Sequence, residues 1–525
     1  MVKGVFIDLQ HYDDTHYNLL QSFFIYNNVS KFRVLQTYYN VLLHLRKNTM
    51  ENLKKNFIKS ITLALVLGIT VTSCFEDQDD SLVATSEIND FVWKAMNAVY
   101  LYKSDVPDLA DDRFVDNEAY SLYLNSFDSP EELFESLKYL PETVDRFSII
   151  VDNYFDLQNA QQGISLSNGI EFNLYRISEG SSQVYGVITL VLNNSVADNL
   201  GLQRGMIFRA VDGNDLTDTN FSNLLSQNTY TLNFADYDDN NTPDTSDDTV
   251  TLNGESATLN KVQYTENPVH IAETITLEDN SKVAYLMYNG FNSNFNDALN
   301  NAFAGFLADG VDELVLDLRY NGGGSIQTAA YLGSMVTGQF TGQVYSRLFY
   351  NENLQDNNRD YLFTNTIEGL GAINSLNLSR VYVLTTNRRT ASASELVINS
   401  LGAYIDVVVI GENTVGKTQA SVTVYDSPNL AFENVNPNHT YALQPLIANS
   451  TNVNDELVPS NGLTPNIELS ERPNTLGTLG DVNEPLLAAA IDNILGLGRP
   501  FHQPIDQSKL ISVNTSTLQQ TMYID

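Results

Sequence analysis

The stretch from Thr390 to Lys417 reads T-A-S-A-S-E-L-V-I-N-S-L-G-A-Y-I-D-V-V-V-I-G-E-N-T-V-G-K. Four small residues, Ala391, Ser392, Ala393 and Ser394, open a helical pattern. The run Val407-Val408-Val409-Ile410 then reads as a strand, and a glycine-bounded loop delivers Lys417. A helix start gathers N–H groups that have no intrahelical acceptor, and the helix dipole adds to their effect on negative charge. A Ser392 hydroxyl attacking a carbonyl there would find oxyanion donors, beginning with the Ala393 amide. Lys417, held among apolar strand ends, would lose hydration and accept a proton near neutral pH, completing a Ser-Lys dyad. The same residue types also fit a capped helix and a solvated loop lysine. Alone they leave both readings open.

Outward from this stretch, strands and helices alternate from about residue 266, which argues for an α/β core. Val283 to Tyr288 reads as a strand, Phe295 to Ala308 as an amphipathic helix, and Glu313 to Leu318 as a second strand that runs into Arg319-Tyr320-Asn321-Gly322-Gly323-Gly324-Ser325. Three glycines after a strand let the backbone approach a ligand and point amides at an anion. A phosphate loop is the rival reading, but the G-K-S/T ending and the G-x-G-x-x-G frame are both missing.

Residues 84–165 read as a small helical domain, with helical spacing through Ile88 to Met96 and a start at Ser129-Pro130-Glu131-Glu132. Its aromatics Phe91, Trp93, Tyr100 and Tyr102 are read as core. Residues 166–265 are strand-rich, with Val184 to Leu192 as the clearest strand. A polar insert at 236–248 offers oxygens at alternating positions but lacks EF-hand spacing, so a solvated hairpin tip is favoured over a calcium site. Residues 266–475 form the core segment. The last segment, 476–525, holds a surface helix over Glu484 to Ile491 and a polar tail to which the sequence assigns nothing.

The formal net charge is −36, from 28 Lys and Arg against 64 Asp and Glu, which argues against nucleic acid as a partner. A single cysteine excludes an intrachain disulfide and a multi-cysteine zinc site. That cysteine, Cys74, closes Val71-Thr72-Ser73-Cys74 after an apolar run preceded by Lys54, Lys55 and Lys59. A basic region, a short apolar region and small residues before a cleavage point make a signal peptide over 50–73. The pattern resembles a bacterial lipobox, which implies cleavage before Cys74 and its lipidation. Residues 74–83 then form an acidic tether, and 1–49 are read as a start-site artefact upstream of Met50. The implied location is the cell envelope, lipid-anchored at the outer membrane, on either its periplasmic or its surface face.

Two resemblances follow from the motifs. Asn193 to Gly213 resembles the helix, turn and strand of a PDZ domain, with Met206 where aspartate is usual. The PDZ-like reading implies capture of a partner's extended C-terminus as an added strand, with Val187, Ile188, Leu190 and Leu202 as its contacts. This segment, the D-L-R-Y-N-G-G-G loop and T-A-S-A-S-E with G-E-N-T-V-G-K together resemble the C-terminal-processing, or tail-specific, serine peptidases, in a lipoprotein form like that of Flavobacteria and other Bacteroidetes. Lys417 stands 25 residues after Ser392, which is the family's spacing, so the resemblance selects Ser392 over Ser394.

What the resemblance implies is an α/β multidomain protein with an N-terminal helical domain, a PDZ-like domain and a crotonase-like (ββα) serine peptidase core. Ser392 is the nucleophile, Lys417 the general base and Glu395 a possible third member. Ala393 with Gly322 or Gly323 forms the oxyanion hole. No cofactor and no metal are implied, and the partners are proteins or peptides with exposed C-terminal tails and the membrane itself. Ala403 and Ser421 stand where some members carry aspartate and glutamine, which transfers the orienting of the lysine to Gln419 or Ser421. Only His270, His439 and His502 follow Phe75, and none lies in either motif, which disfavours a Ser-His-Asp triad. The alternative function is a noncatalytic lipoprotein that binds peptides in the PDZ-like groove.

Overall fold

The computed structural model describes residues 86–240, 242, 247–498, 510–511 and 522–524. Cys74, the signal-like stretch, the acidic tether, residues 1–49 and His502 lie outside the described residues, as do 241 and 243–246 of the polar insert.

Four helices open the described chain: α1 (Glu87–Val99), α2 (Asn117–Leu124), α3 (Pro130–Ser136) and α4 (Tyr154–Gln161). Each begins on a residue whose side chain accepts a backbone amide of the first turn: Ser86, Asp116, Ser129 and Asn153. Phe91, Val92, Met96, Leu124, Leu133 and Phe134 pack their apolar faces together. A short strand lies between α3 and α4. Ile149–Val151 pairs antiparallel with Ala442–Gln444, nearly 300 residues later, and this pairing fastens the helical segment beside the core.

An antiparallel sheet follows, ordered β1 (Ile170–Arg176), β2 (Val184–Val191), β3 (Ile207–Val211), β4 (Thr229–Asp238) and β5 (Thr249–Asn260). Two short helices, α5 (Val196–Asn199) and α6 (Phe221–Ser226), connect its strands. The insert forms the outer end of the β4–β5 hairpin.

The core is a six-stranded sheet. Its strands are β6 (Val269–Thr276), β7 (Lys282–Tyr288), β8 (Glu313–Asp317), β12 (Arg380–Thr385), β13 (Asp406–Gly411) and β16 (Ile467–Glu468), and all but β6 run parallel. Between them in the chain come α7 (Asn296–Asp309), β9 (Gly324–Ser325), α8 (Ile326–Thr337), β10 (Val344–Tyr350), β11 (Arg359–Leu362), α9 (Ala393–Gly402), β14 (Gln419–Ser421) and β15 (Leu446–Thr451).

Parallel strands buried on both faces need apolar residues at every position, and these have them. Ala284, Leu286 and Tyr288 of β7 face α7, α8 and α9, whereas Val283, Tyr285 and Met287 face the other way. That second face is covered by α10 (Pro485–Ile494) through Leu486, Leu487, Ala490 and Ile491. The helix expected to lie on the surface is therefore a layer of the core. Its capping residue Glu484 is buried because it answers a buried arginine.

Two short strands complete the described chain: β17 (Leu510–Ile511) extends the antiparallel sheet beside β1, and β18 (Met522–Tyr523) lies between β9 and β14.

Candidate active site

Three loops leave the carboxyl ends of neighbouring parallel strands: 318–323 after β8, 386–392 after β12 and 412–418 after β13. In open α/β sheets this is where ligands bind.

The β12 loop ends on Ser392, fully buried and non-glycine, yet at φ 66° and ψ −118°. Such a conformation costs about 1–3 kcal/mol and persists only where the surroundings enforce it. Here they do. Thr390 Oγ1 donates to Leu318 O at 3.0 Å, the Ala391 amide to Asn321 O at 3.3 Å, and Ser394 Oγ to the same oxygen at 3.0 Å. Ser394 is thus spent on structure. Ser392 Oγ, by contrast, is buried with no hydrogen-bond partner among the described residues.

Glu395 joins the serine to the lysine. Its Oε2 accepts the amides of Ser392 at 2.8 Å and Lys417 at 2.9 Å, while Oε1 accepts the Gly416 amide at 2.7 Å and the Thr414 hydroxyl. One carboxylate oxygen therefore bridges the two backbones. Burial pushes the Glu395 pKa up, against the pull of these four donors. Glu395, named above as a possible third member, thus bonds both the start of α9 and the lysine loop.

Lys417 is fully buried, and its ammonium nitrogen lies 5.2 Å from the centre of the Phe147 ring. Desolvation lowers its pKa to about 7, although the Asp145 and Glu395 carboxylates oppose the fall. Asp145 is itself fixed by the Tyr100 hydroxyl at 2.6 Å and the Ser148 amide at 2.9 Å. Arg146 Nη2 donates to the carbonyls of Val415, Gly416 and Ser460. The lysine loop is thus framed by residues 145–148, which sequence reasoning missed because no local pattern marks a contact some 270 residues away. Gln419, considered as the lysine's orienting partner, donates instead to the Tyr102 hydroxyl.

Gly416 shapes the same loop. It sits at φ 85°, and a Cβ there would fall 2.2 Å from Ser460 O. Gly416→Ala is expected to displace Lys417 and lower kcat by ~10²-fold, the scale of a misplacement near 1 Å, with far-UV circular dichroism unchanged. Parent-like kcat would show that the loop adapts.

In the β8 loop, Asn321 is the organiser. Its Nδ2 donates to Tyr288 O at 2.8 Å and its Oδ1 accepts the Gly323 amide at 2.9 Å. Gly324, at φ 135°, lies where a Cβ would meet Phe291 O at 2.3 Å. The Gly323 amide is therefore committed internally, which leaves Gly322 as the loop's candidate oxyanion donor. Ala393, first residue of α9, holds one of the amides that a helix start leaves without an intrahelical acceptor.

Behind this loop lies a buried ionic network. Arg319 bonds Asp317, Glu471 and Glu484, and Arg204 bonds Glu471 at 2.5 Å and the Tyr320 hydroxyl at 2.5 Å. Burial pushes the Glu471 carboxyl up, but the two guanidinium groups outweigh it and hold its pKa at about 2. Among the described residues, no group of three or more His, Cys, Asp or Glu side chains could hold a metal ion.

Of the four residues read as peptide contacts, Ile188 and Leu202 share an apolar cluster with Leu174 of β1. Val187 and Leu190 are buried in two other clusters, Leu190 against the core sheet.

Residues 282–468 match the model of peptidase family S41, and residues 87–149 match that of the peptidase S41 N-terminal domain. A carboxyl-terminal-processing protease of Picosynechococcus sp. is 27% identical over 151 residues, covering 29% of this chain and 32% of that protein. A chloroplastic C-terminal processing peptidase of Tetradesmus obliquus is 27% identical over 191 residues, covering 35% of this chain and 37% of that protein. The matches thus span about a third of the length of these curated relatives. A solved structure from Bacteroides fragilis, described as an S41 protease, aligns with a TM-score of 0.63 at 29% identity, over 78% of this chain and 97% of that one.

Proposed function

We infer that this chain is a serine endopeptidase of family S41 that cleaves proteins by way of their C-terminal tails. The observation that carries the reading is one carboxylate, Glu395, holding the backbone of a strained, buried serine and of a desolvated lysine at the same oxygen. A lysine with a pKa of about 7 is in part neutral at physiological pH, as a general base requires.

In this reading Lys417 Nζ takes the Ser392 hydroxyl proton as Oγ bonds to the scissile carbonyl carbon. The Ala393 and Gly322 amides receive the developing oxyanion. Collapse breaks the C–N bond, and the lysine returns the proton to the leaving amine. A water deprotonated by the same lysine then attacks the acyl carbon, the C–Oγ bond breaks, and the lysine returns the proton to Ser392 Oγ as the acid leaves. Glu395 is a positioning residue, because all of its bonds go to protein groups. The antiparallel sheet β1–β5 serves in this account as the PDZ-like tail reader, beside a crotonase-like core.

The test is proteolysis of an unstructured protein with an apolar C-terminal tail, followed as kcat/KM against pH. The rate should fall about tenfold per pH unit below 7 and level off above it, since only the neutral amine accepts a proton. A serine-directed sulfonyl fluoride should modify Ser392, as read by peptide mass. No cleavage, or a flat profile between pH 5 and 8, would sink the dyad. Lipid anchoring is proposed on the Cys74 pattern alone. Cys74→Ala should move the protein from the membrane to the soluble fraction, and persistence in the membrane would refute the anchor.

A further inference from the structure

Two short strands late in the chain, β17 and β18, lie at two separate places, against the proposed tail-reading sheet and against the strands that follow the glycine and Lys417 loops. At the first, β17 adds to the outer edge of β1 in antiparallel register, with Leu510 opposite Tyr175 and Ile511 opposite Leu174. The Ile511 side chain is buried in the cluster of Leu174, Ile188, Leu202 and Phe208, against which Phe221, Leu224 and Leu225 of α6 also pack. A strand added to a free sheet edge, with its aliphatic side chain buried in the sheet's own apolar cluster, is the geometry of strand addition. Arg388 ties this place to the serine loop. Its Nη2 donates to Ile511 O at 3.1 Å and its Nη1 to Asn173 Oδ1 at 2.9 Å, four residues before Ser392.

At the second place, β18 runs parallel to β9, with Met522 opposite Gly324 and Tyr523 opposite Ser325. Its other edge meets β14, Tyr523 opposite Ser421, and the Ile524 amide donates to Ser421 O at 3.3 Å. The strand β9 follows directly on the glycine loop, and β14 follows directly on Lys417. The tail therefore fills the interval between the two loops that flank Ser392, and completes a sheet ordered β9, β18, β14, β15, β10, β11.

We propose that the strands β17 (Leu510–Ile511) and β18 (Met522–Tyr523, with the Ile524 amide that follows it) act as a tethered competitor at the places a substrate tail would take, and that an incoming tail must displace them. The occupants the first of these places accepts are extended segments with a branched aliphatic side chain for the Leu174–Ile188–Leu202 cluster. The kinetic consequence rests on the peptidase reading of Ser392, whereas the occupancy does not. A tethered segment acts at an effective concentration of about millimolar, so only substrates of matching geometry, or ones already concentrated nearby, compete with it.

The test uses the full chain with a site-specific protease sequence inserted within 499–505, so that the tail is cut from already folded protein and removed by gel filtration. In the Ser392→Ala background, a fluorescent peptide of residues 506–525 should bind the cut protein at least tenfold more tightly than the uncut one, read by anisotropy. In the Ser392 background, cutting should lower KM about tenfold, and added peptide should restore it without changing kcat. Ile511→Asp in the uncut chain should reproduce part of the gain. Equal peptide binding to cut and uncut protein, or none to either, overturns the proposal. Differential binding with no turnover in any form supports the tail and removes only the catalytic reading.

Discussion

Lys417→Met is expected to lower turnover by on the order of 10³-fold, the middle of the range for loss of a general base, and to make the protein more stable. Both effects come from burial. With no exposed surface, the Lys417 amine has a pKa of about 7 in the fold against 10.5 as its ordinary value. Between those pH values the unfolded chain holds a proton that the folded chain does not, so stability rises with pH across that window. Below about 7 both states are protonated, and the full cost of the buried charge, about 5 kcal/mol, is carried by the fold. Methionine has similar length and no charge to desolvate. Asp145 keeps the Tyr100 hydroxyl and the Ser148 amide as partners without the lysine.

At pH 7 the variant should therefore unfold about 3–5 kcal/mol harder than the parent in urea, with the gap closing as pH approaches 10. A serine in a strained conformation and a lysine in a dry pocket are the kind of features that activity maintains against stability. An unchanged urea midpoint at pH 7 would mean that Lys417 reaches water in solution, and the base assignment would fall with it.

What could be read in advance follows the range of the interactions involved. From Thr390 to Lys417 the side-chain period changes from strand to helix and back within one connection. The residue types alone left a capped helix open as well, and it was the resemblance to the tail-specific peptidases, through the 25-residue spacing and the position of Glu395, that pointed to Ser392, Glu395 and Lys417 together. The burial of α10 was missed for a physical reason: Glu484 at its start looks like a solvated cap, and only a distant partner, Arg319, makes its burial tolerable. Asp145 and Phe147 carry no motif, and they reach the lysine only because Ile149–Val151 pairs with a strand that follows residue 441. The tail gave no signal because its two short strands take their register from the edges they join.

The same Arg319 should be the position where a single substitution does most damage to the fold. Its guanidinium is fully buried. Nε bonds Asp317 at 2.9 Å, Nη1 bonds Glu471 at 2.9 Å and Glu484 at 2.7 Å, and Nη2 bonds the second Glu484 oxygen at 2.9 Å. Three carboxylates share two guanidinium groups, so removing one leaves Arg204 alone to answer all three. Stripping one partner from a buried ion pair costs about 3–5 kcal/mol, because the charge left behind can neither pair nor reach water.

Arg319→Met should cost at least that much in urea unfolding, and Arg319→Lys should recover little, since a point charge cannot replace a guanidinium that bonds three carboxylates at once. Adding Glu484→Gln to Arg319→Met should return about 2 kcal/mol. Neutralising the stranded carboxylate relieves the repulsion, and the amide oxygen can still cap α10 at the Leu487 amide. Activity should fall before the fold does. Arg319 O accepts the Thr386 hydroxyl, and Asn321, two residues on, holds both the glycine loop and the serine turn. A loss of less than 1 kcal/mol in Arg319→Met would mean that water enters the network and that these charges are solvated after all.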